Sequence, residues 1–145
     1  MIENNPELDS YIPPELEIAI ISLEKAQQDL IAVGKWLTDV DISDEIIGFH
    51  IQQAIEKSLK AILICYKIEH PRTHNLRLLV DLCQNNNIEV PSTFSQVDIF
   101  NRFAVEWRYN LLPLTNPSPL DRETAYNLAT FVWNWASQLV KGSSN

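Results

Sequence analysis

Apolar residues recur at intervals of three and four in the longest stretches of this chain, which is the spacing of one face of an α-helix. Only 3 glycines occur in 145 residues, and most of the 8 prolines lie between the periodic stretches. We therefore expect an all-α fold whose helices are joined by proline-marked turns. The clearest stretch follows Pro13 and has apolar side chains at Leu16, Ala19, Leu23, Ala26, Leu30 and Val33.

Breaks between the periodic stretches predict an up-and-down bundle of about five helices. Asp41 and Asp44 offer capping oxygens for the second helix, Thr73 for the third and Ser118 for the fifth, where Pro119 would occupy the first helical position. The expected helices cover about residues 13–37, 43–67, 74–85, 92–109 and 119–142.

Length and composition indicate one soluble domain. A chain of 145 residues with 46% apolar residues can bury one contiguous core, which we place at residues 13–142 after a polar lead-in at 1–12. No run approaches the ~18 apolar residues of a membrane span, and the acidic N-terminal segment does not resemble a signal peptide, so we expect a cytoplasmic protein. Cys65 and Cys83 lie in apolar helical patterns without CxxC spacing, which favours buried thiols over a disulfide.

Charge is unevenly distributed along the chain. The net charge of −8 argues against a nucleic-acid partner, because contacts to phosphate supply most of such affinity. Residues 57–108, however, carry seven basic and five acidic residues, and the remainder carries four basic and fourteen acidic residues. This middle segment is compatible with a local anion site or with ordinary solvated helix faces.

The second predicted helix has a polar stripe beside its apolar arc. His50, Gln53, Lys57 and Lys60 fall within about 80° of one another at 100° per residue. These side chains face a ligand, a partner or water. The three histidines of the chain match no metal-ligand spacing, so we expect no metal and no other cofactor.

The fourth predicted helix contains the sharpest cluster of chemically useful residues. Arg102, Glu106 and Tyr109 are spaced by four and three, which places them on one face of an α-helix. Arginine binds phosphate through two parallel hydrogen bonds, and a tyrosine adds a stacking surface and a hydroxyl. The alternative is an Arg102–Glu106 ion pair contributing ~0.2–0.5 kcal/mol beside a buried tyrosine.

Three segments of the chain, in order, resemble the HEPN family. They are FHIQQAIEKSLKAIL from Phe49, PRTHNL from Pro71 and FAVEWRY from Phe103. The similarity extends over about residues 18–140. It implies an α-helical bundle that commonly forms a homodimer.

The resemblance also implies a function. Many bacterial members stand beside a minimal nucleotidyltransferase in toxin–antitoxin pairs. Active members are metal-independent endoribonucleases with an Arg-x4-6-His motif, which some extend to a tyrosine that the partner adenylylates to silence the toxin. Arg102 matches the arginine and Tyr109 the tyrosine, whereas Trp107 stands at the position of the histidine.

Tryptophan lacks the imidazole that would move a proton during attack of the RNA 2′-hydroxyl. Arg102 retains the capacity to hold a phosphate, with Glu106 as a further catalytic candidate, and His74 or His50 could approach from elsewhere in the fold. Lys57, His74 and Arg108 are candidate ligand-binding residues.

The leading hypothesis is thus a toxin-like effector that acts on RNA, is modified at Tyr109 and pairs with a nucleotidyltransferase. The alternatives are a non-catalytic module that binds a nucleotide or partner, and a structural dimeric bundle. Helix five has Phe131, Trp133 and Trp135 around its circumference, which predicts a dimer interface or a helix packed on two sides within the monomer.

Overall fold

The computed structural model describes residues 11–104 and 119–142. In these two ranges the chain forms helices and no strands, which confirms the all-α prediction. The elements are α1 (Pro14–Trp36), α2 (Asp44–Cys65), α3 (Leu76–Asn85), a 3₁₀ helix (Ser92–Phe103) and α4 (Arg122–Gly142).

Helix α2 is the central element of the bundle. It packs against α1, α3, α4 and the 3₁₀ helix. Its apolar residues recur at helical spacing and are fully buried, because neighbours surround the helix on most of its circumference. They are Ile47, Ile51, Ile55, Leu59 and Ile62.

The N-terminal caps of α2 and α3 differ from the predicted ones. Ser43 caps α2, since its Oγ accepts a hydrogen bond from the N–H of Ile46 at 3.3 Å, and Asp44 is the first helical residue. Asn75 caps α3 in place of Thr73. An N-cap must stand directly before the first turn to reach its N–H groups, and Thr73 instead accepts from the N–H of Asn75.

Helix α4 is capped by Asp121, whose carboxylate accepts from both the N–H and the hydroxyl of Thr124. These two hydrogen bonds lower the pKa of Asp121. The predicted cap, Ser118, lies outside the described residues.

The prediction of a continuous α-helix from 92 to 109 is wrong in its described part. Residues Ser92–Phe103 form a 3₁₀ helix that ends at Ala104, where the backbone is extended at φ −65° and ψ 148°. The physical reason is visible in the sequence as a repeat of three, the 3₁₀ period, which brings every third side chain to one side. The buried residues of this helix are Phe94, Val97, Phe100 and Phe103.

Gly48 allows the end of the 3₁₀ helix to lie against α2. A Cβ atom added at Gly48 would come within 2.4 Å of Cδ1 of Phe103, closer than any side chain tolerates. The ring of Phe103 therefore occupies space that only glycine leaves open, and Arg102 is the residue that precedes it.

Arg122 closes the turn between α1 and α2. Its Nε donates to Oδ1 of Asp44 at 2.8 Å, and its guanidinium also donates to the carbonyl oxygens of Trp36, Asp39 and Ile42. The planar guanidinium of Arg122 thus donates to three backbone carbonyls and a carboxylate. These hydrogen bonds join α4 to the α1–α2 turn.

Both cysteines are free thiols, as predicted, but Cys65 is only partly buried. Cys83 is buried, and burial raises the pKa of its thiol to about 12. None of the described helices combines the length and the apolarity that crossing a membrane requires.

Candidate functional site

The polar stripe of α2 faces carboxylates contributed from inside the bundle. Asp29 of α1, only 9% exposed, accepts from Nδ1 of His50 at 2.8 Å and from Nζ of Lys57 at 2.6 Å. The ring of His50 also packs edge-on against Trp36 and Phe49. Lys57, a candidate ligand-binding residue, is therefore an ion-pair partner that joins α2 to α1.

A second carboxylate, Glu56, gathers residues from α2 and from the turn before α3. Its Oε1 accepts from Nδ1 of His74 at 2.7 Å and from Nε2 of Gln52 at 2.9 Å, and its Oε2 accepts from Nζ of Lys60 at 3.2 Å. Gln52 also donates to the backbone carbonyl of His74 at 3.3 Å. The first two segments of the family resemblance thus meet through Glu56 and His74.

This arrangement sets the orientation of the His74 ring. Because a carboxylate oxygen only accepts, Nδ1 bears a hydrogen and Nε2 is the nitrogen that remains for other contacts. The side chain of Glu56 is 7% exposed and that of His74 is 40% exposed. A buried carboxylate therefore orients an imidazole that reaches solvent.

Two asparagines join the His74 turn to the 3₁₀ helix. Oδ1 of Asn101 accepts from the N–H of Leu76 at 2.9 Å, and its Nδ2 donates to Oδ1 of Asn75 at 3.1 Å. Asn75 directly follows His74 and Asn101 directly precedes Arg102, so these hydrogen bonds bring the two candidate residues into one neighbourhood.

Arg102 lies half-buried at the end of the 3₁₀ helix. Its guanidinium carbon is 4.5 Å from the centroid of the Phe103 ring, a cation–π distance. The pKa of Asp44 is lowered chiefly by its hydrogen bond from Arg122, and the positive charge of Arg102 contributes to the same shift. Arg102 is therefore close enough to the N-terminal half of α2 for its charge to act there.

One ridge of α2 contacts both Phe103 and His74. Asp44, Gly48, Gln52 and Glu56 recur every four residues and form a ridge that turns by about 40° around the helix at each step, which we call the α2 row. Phe103 covers the row at Gly48, and His74 covers it at Glu56.

The remaining predicted site residues, Glu106, Arg108 and Tyr109, lie outside the described residues, as does Trp107. The expectation that Arg102, Glu106 and Tyr109 share a helical face assumed continuous α-geometry. The 3₁₀ helix ends at Phe103, so helical spacing no longer relates Arg102 to the two later residues.

Sequence reasoning missed the two carboxylates that organise the site. Asp29 lies within the apolar arc of α1, three residues after Ala26 and beside Leu30, and an acidic residue in such an arc is a signal for a buried, paired carboxylate. No comparable signal marked Asn101. Among the described residues, no group of three or more potential ligands is arranged to hold a metal ion.

The HEPN domain family model matches residues 18–139 of this chain. This range spans all the described helices except the first turn of α1 and the last residues of α4. No curated protein and no solved structure gave a match.

Proposed function

Because the chain belongs to the HEPN domain family, we propose that it is the effector of a toxin–antitoxin module and cleaves RNA without a metal ion at a site centred on Arg102. The observation that carries this proposal is that Phe103, next to Arg102, and His74 both contact the α2 row. The ring of Phe103 lies against Gly48 and the guanidinium of Arg102 packs on that ring. The Asn75–Asn101 hydrogen bond attaches the His74 turn to the residue before Arg102.

Arg102 would bind the scissile phosphate. A guanidinium stays charged, donates two parallel hydrogen bonds to phosphate oxygens and stabilises negative charge as it develops in the transition state. Packing of Arg102 on Phe103 pre-orients the side chain, which reduces the entropy lost when RNA binds.

The partner in this proposal is a minimal nucleotidyltransferase that neutralises the effector at Tyr109. The tyrosine hydroxyl would attack the α-phosphorus of ATP, forming a phenolic phosphodiester with AMP and releasing pyrophosphate. The proposal for Tyr109 rests on the family resemblance.

The test of the enzymatic part is RNA cleavage by wild type and by Arg102→Ala. We expect wild type to yield discrete products and the variant to lose at least about 100-fold in rate, the size of effect when a preorganised charge-stabilising group is removed. Lys25→Ala, which removes an exposed positive charge from α1, is the matched control and should retain activity. Equal, background-level products from wild type and Arg102→Ala would refute the ribonuclease proposal.

The second candidate function is a non-catalytic module that binds a nucleotide or the nucleotidyltransferase. It is favoured by Trp107 at the position of the motif histidine and by the net charge of −8. Mass spectrometry after incubation with the partner and ATP tests modification in either case. An AMP adduct that is absent from Tyr109→Phe supports Tyr109 as the acceptor, and an adduct that survives this substitution excludes it.

A further inference from the structure

We propose that His74, oriented by Glu56, is the general base of the Arg102 site. His74 would be the catalytic residue that touches the RNA 2′-hydroxyl, and Glu56 would be a positioning residue that acts through His74. The inference rests on the proposed ribonuclease function and supplies the imidazole that is missing at position 107.

The geometry of His74 is that of an oriented base. Its Nδ1 donates to Glu56 at 2.7 Å, and Gln52 binds both the same carboxylate oxygen and the backbone carbonyl of His74. Lys60 holds the second carboxylate oxygen, so Glu56 cannot turn away without losing several charge-assisted hydrogen bonds. The ring is therefore oriented with Nδ1 toward Glu56 and Nε2 away from it, on a side chain that is 40% exposed.

The other two histidines of the chain do not share this placement. Nδ1 of His50 is also bound to a carboxylate, but that carboxylate is Asp29 of α1, and the His50 ring packs between Trp36 and Phe49 on another face of α2. Nδ1 of His70 lies 3.2 Å from the carbonyl oxygen of Ile68 in its own turn. Of the three histidines, His74 is the one hydrogen-bonded to a residue of the α2 row, Glu56, and Phe103 contacts the same row at Gly48.

The His74 turn is joined to the end of the 3₁₀ helix that bears Arg102. Gly48, under Phe103, and Glu56, under His74, are about two turns apart, roughly 12 Å along the axis at 1.5 Å per residue. Gln52, between them, is fully buried, so RNA would lie on the exposed parts of His74 and Arg102. The Asn75–Asn101 hydrogen bond joins the chain neighbours of these two residues, and the proposal places a phosphate on Arg102 and the adjoining ribose hydroxyl at His74.

The chemistry balances without a metal or co-reactant. Nε2 of His74 takes the proton from the ribose 2′-hydroxyl, and the 2′-oxygen forms a bond to phosphorus as the bond from phosphorus to the 5′-oxygen breaks. The leaving 5′-oxygen takes a proton from water, and His74 returns its proton to solvent. The products are a 2′,3′-cyclic phosphate and a 5′-hydroxyl.

The test is single-turnover RNA cleavage by the full chain with chemical rescue. His74→Ala should lower the rate by at least about 100-fold, the contribution of a general base, and added imidazole should restore part of it, because a free base can enter the vacated space. His74→Gln keeps a hydrogen-bond donor for Glu56 and should be equally slow. His70→Ala, in the same turn, is the matched control and should cleave at the wild-type rate.

Glu56→Gln separates positioning from catalysis. We expect a drop of about 10-fold that imidazole does not restore, because His74 still fills the site but is no longer held by a carboxylate. A purely structural role for His74 would instead give folding defects, visible by circular dichroism, that imidazole leaves unchanged.

The outcomes distinguish the inference from the function on which it rests. If wild type cleaves, Arg102→Ala does not, and His74→Ala matches wild type or stays slow with imidazole present, the ribonuclease proposal stands and His74 is not its base. If wild type and Arg102→Ala give the same background products, both proposals fall.

Discussion

Asp44, at the first position of α2, accepts hydrogen bonds from Nε of Arg122 and from the N–H of Leu120. These donors, with the charge of Arg102, hold the pKa of Asp44 below its ordinary value of 3.8 in the folded chain. A depressed pKa contributes stability that is present at pH above the ordinary value and is lost as pH falls through the folded-state value. Asp44 therefore stabilises the fold at neutral pH and not in strong acid.

We predict that Asp44→Asn lowers the free energy of unfolding at pH 7 by about 0.5–1 kcal/mol, a modest effect because the carboxylate is partly exposed. The difference from wild type should shrink as pH drops below about 4. Urea unfolding of wild type and Asp44→Asn at pH 7 and at pH 3 measures the difference in their free energies of unfolding at each pH. Asp41→Asn makes the same charge change at an exposed residue of the same turn, and a loss as large as that of Asp44→Asn would contradict this account.

The two thiols should differ in reactivity. Alkylation requires the thiolate, and Cys83 is buried with a pKa of about 12, whereas Cys65 is partly exposed. We predict that iodoacetamide at pH 8 labels Cys65 in the native protein and labels Cys83 only after unfolding. Mass analysis of digested peptides locates the label, and native labelling of Cys83 at the rate of Cys65 would show that α3 is less well packed than described.

The sequence predicted which types of side chain lie in the polar clusters, but it did not predict which residues they bind. Lys57 and His74 were candidates because amine and imidazole groups are useful to a ligand site, and both lie in polar clusters. Their carboxylate partners, Asp29 and Glu56, are 28 and 18 positions away in sequence. A helical wheel cannot show such pairings, because they arise only when two elements pack together.

At the scale of elements, α1, α2 and α4 follow their predicted ranges within a few residues, because long apolar periodicity and proline breaks dominate their formation. The fourth segment did not follow its prediction. Its buried apolar residues, from Phe94 to Phe103, repeat every three positions, which is the period of a 3₁₀ helix and not of the α-helix predicted for this segment. Because Ala104 is extended, the shared helical face proposed for Arg102 and Tyr109 lost its geometric basis.

A substitution at Gly48 tests the importance of the contact between the 3₁₀ helix and α2. Gly48→Ala should destabilise the fold by about 1–3 kcal/mol, because the new methyl group overlaps the Phe103 ring and the core must shift. It should also reduce RNA cleavage by displacing Arg102. Thermal unfolding and the cleavage assay measure the two effects.

Gly34→Ala is the control for this prediction. Its Cβ would meet the hydroxyl of Tyr126 at 3.2 Å, at the far end of a side chain that can move slightly, and alanine favours a helix over glycine by up to about 1 kcal/mol. The variant should be near neutral in stability and fully active. A Gly48→Ala protein as stable and active as Gly34→Ala would refute the role given to Phe103.

At the scale of the whole molecule, much of the aromatic surface of α4 is used within the chain. Nε1 of Trp133 donates to the carbonyl of Leu23 at 2.8 Å, and the ring centroid of Trp135 is 4.9 Å from that of Phe94. Phe131 remains 48% exposed. The helix is thus packed on two sides within the monomer, and the homodimer remains a proposal supported by the family resemblance and by Phe131.

We predict a homodimer at micromolar concentration in sedimentation velocity, and a shift toward monomer for Phe131→Asp if α4 lies in the interface. A charge at this position would have to be desolvated on association. Val40→Asp, in the 92% exposed position of the α1–α2 turn, should leave the distribution unchanged. Monomer alone for wild type would contradict the dimer.

The most direct test of the central claim, that the α2 row with Arg102 and His74 is the functional face, is backbone NMR of the protein titrated with a short single-stranded RNA. A 2′-deoxy substitution in the RNA prevents cleavage, and low salt preserves binding to phosphate. We predict concentration-dependent shifts at Gly48, Gln52, His74 and Arg102, and we expect those of Gly48, Gln52 and His74 to disappear in Arg102→Ala. Shifts confined to the exposed face of α1, at Glu24 and Gln28, or no shifts at all, would contradict the account.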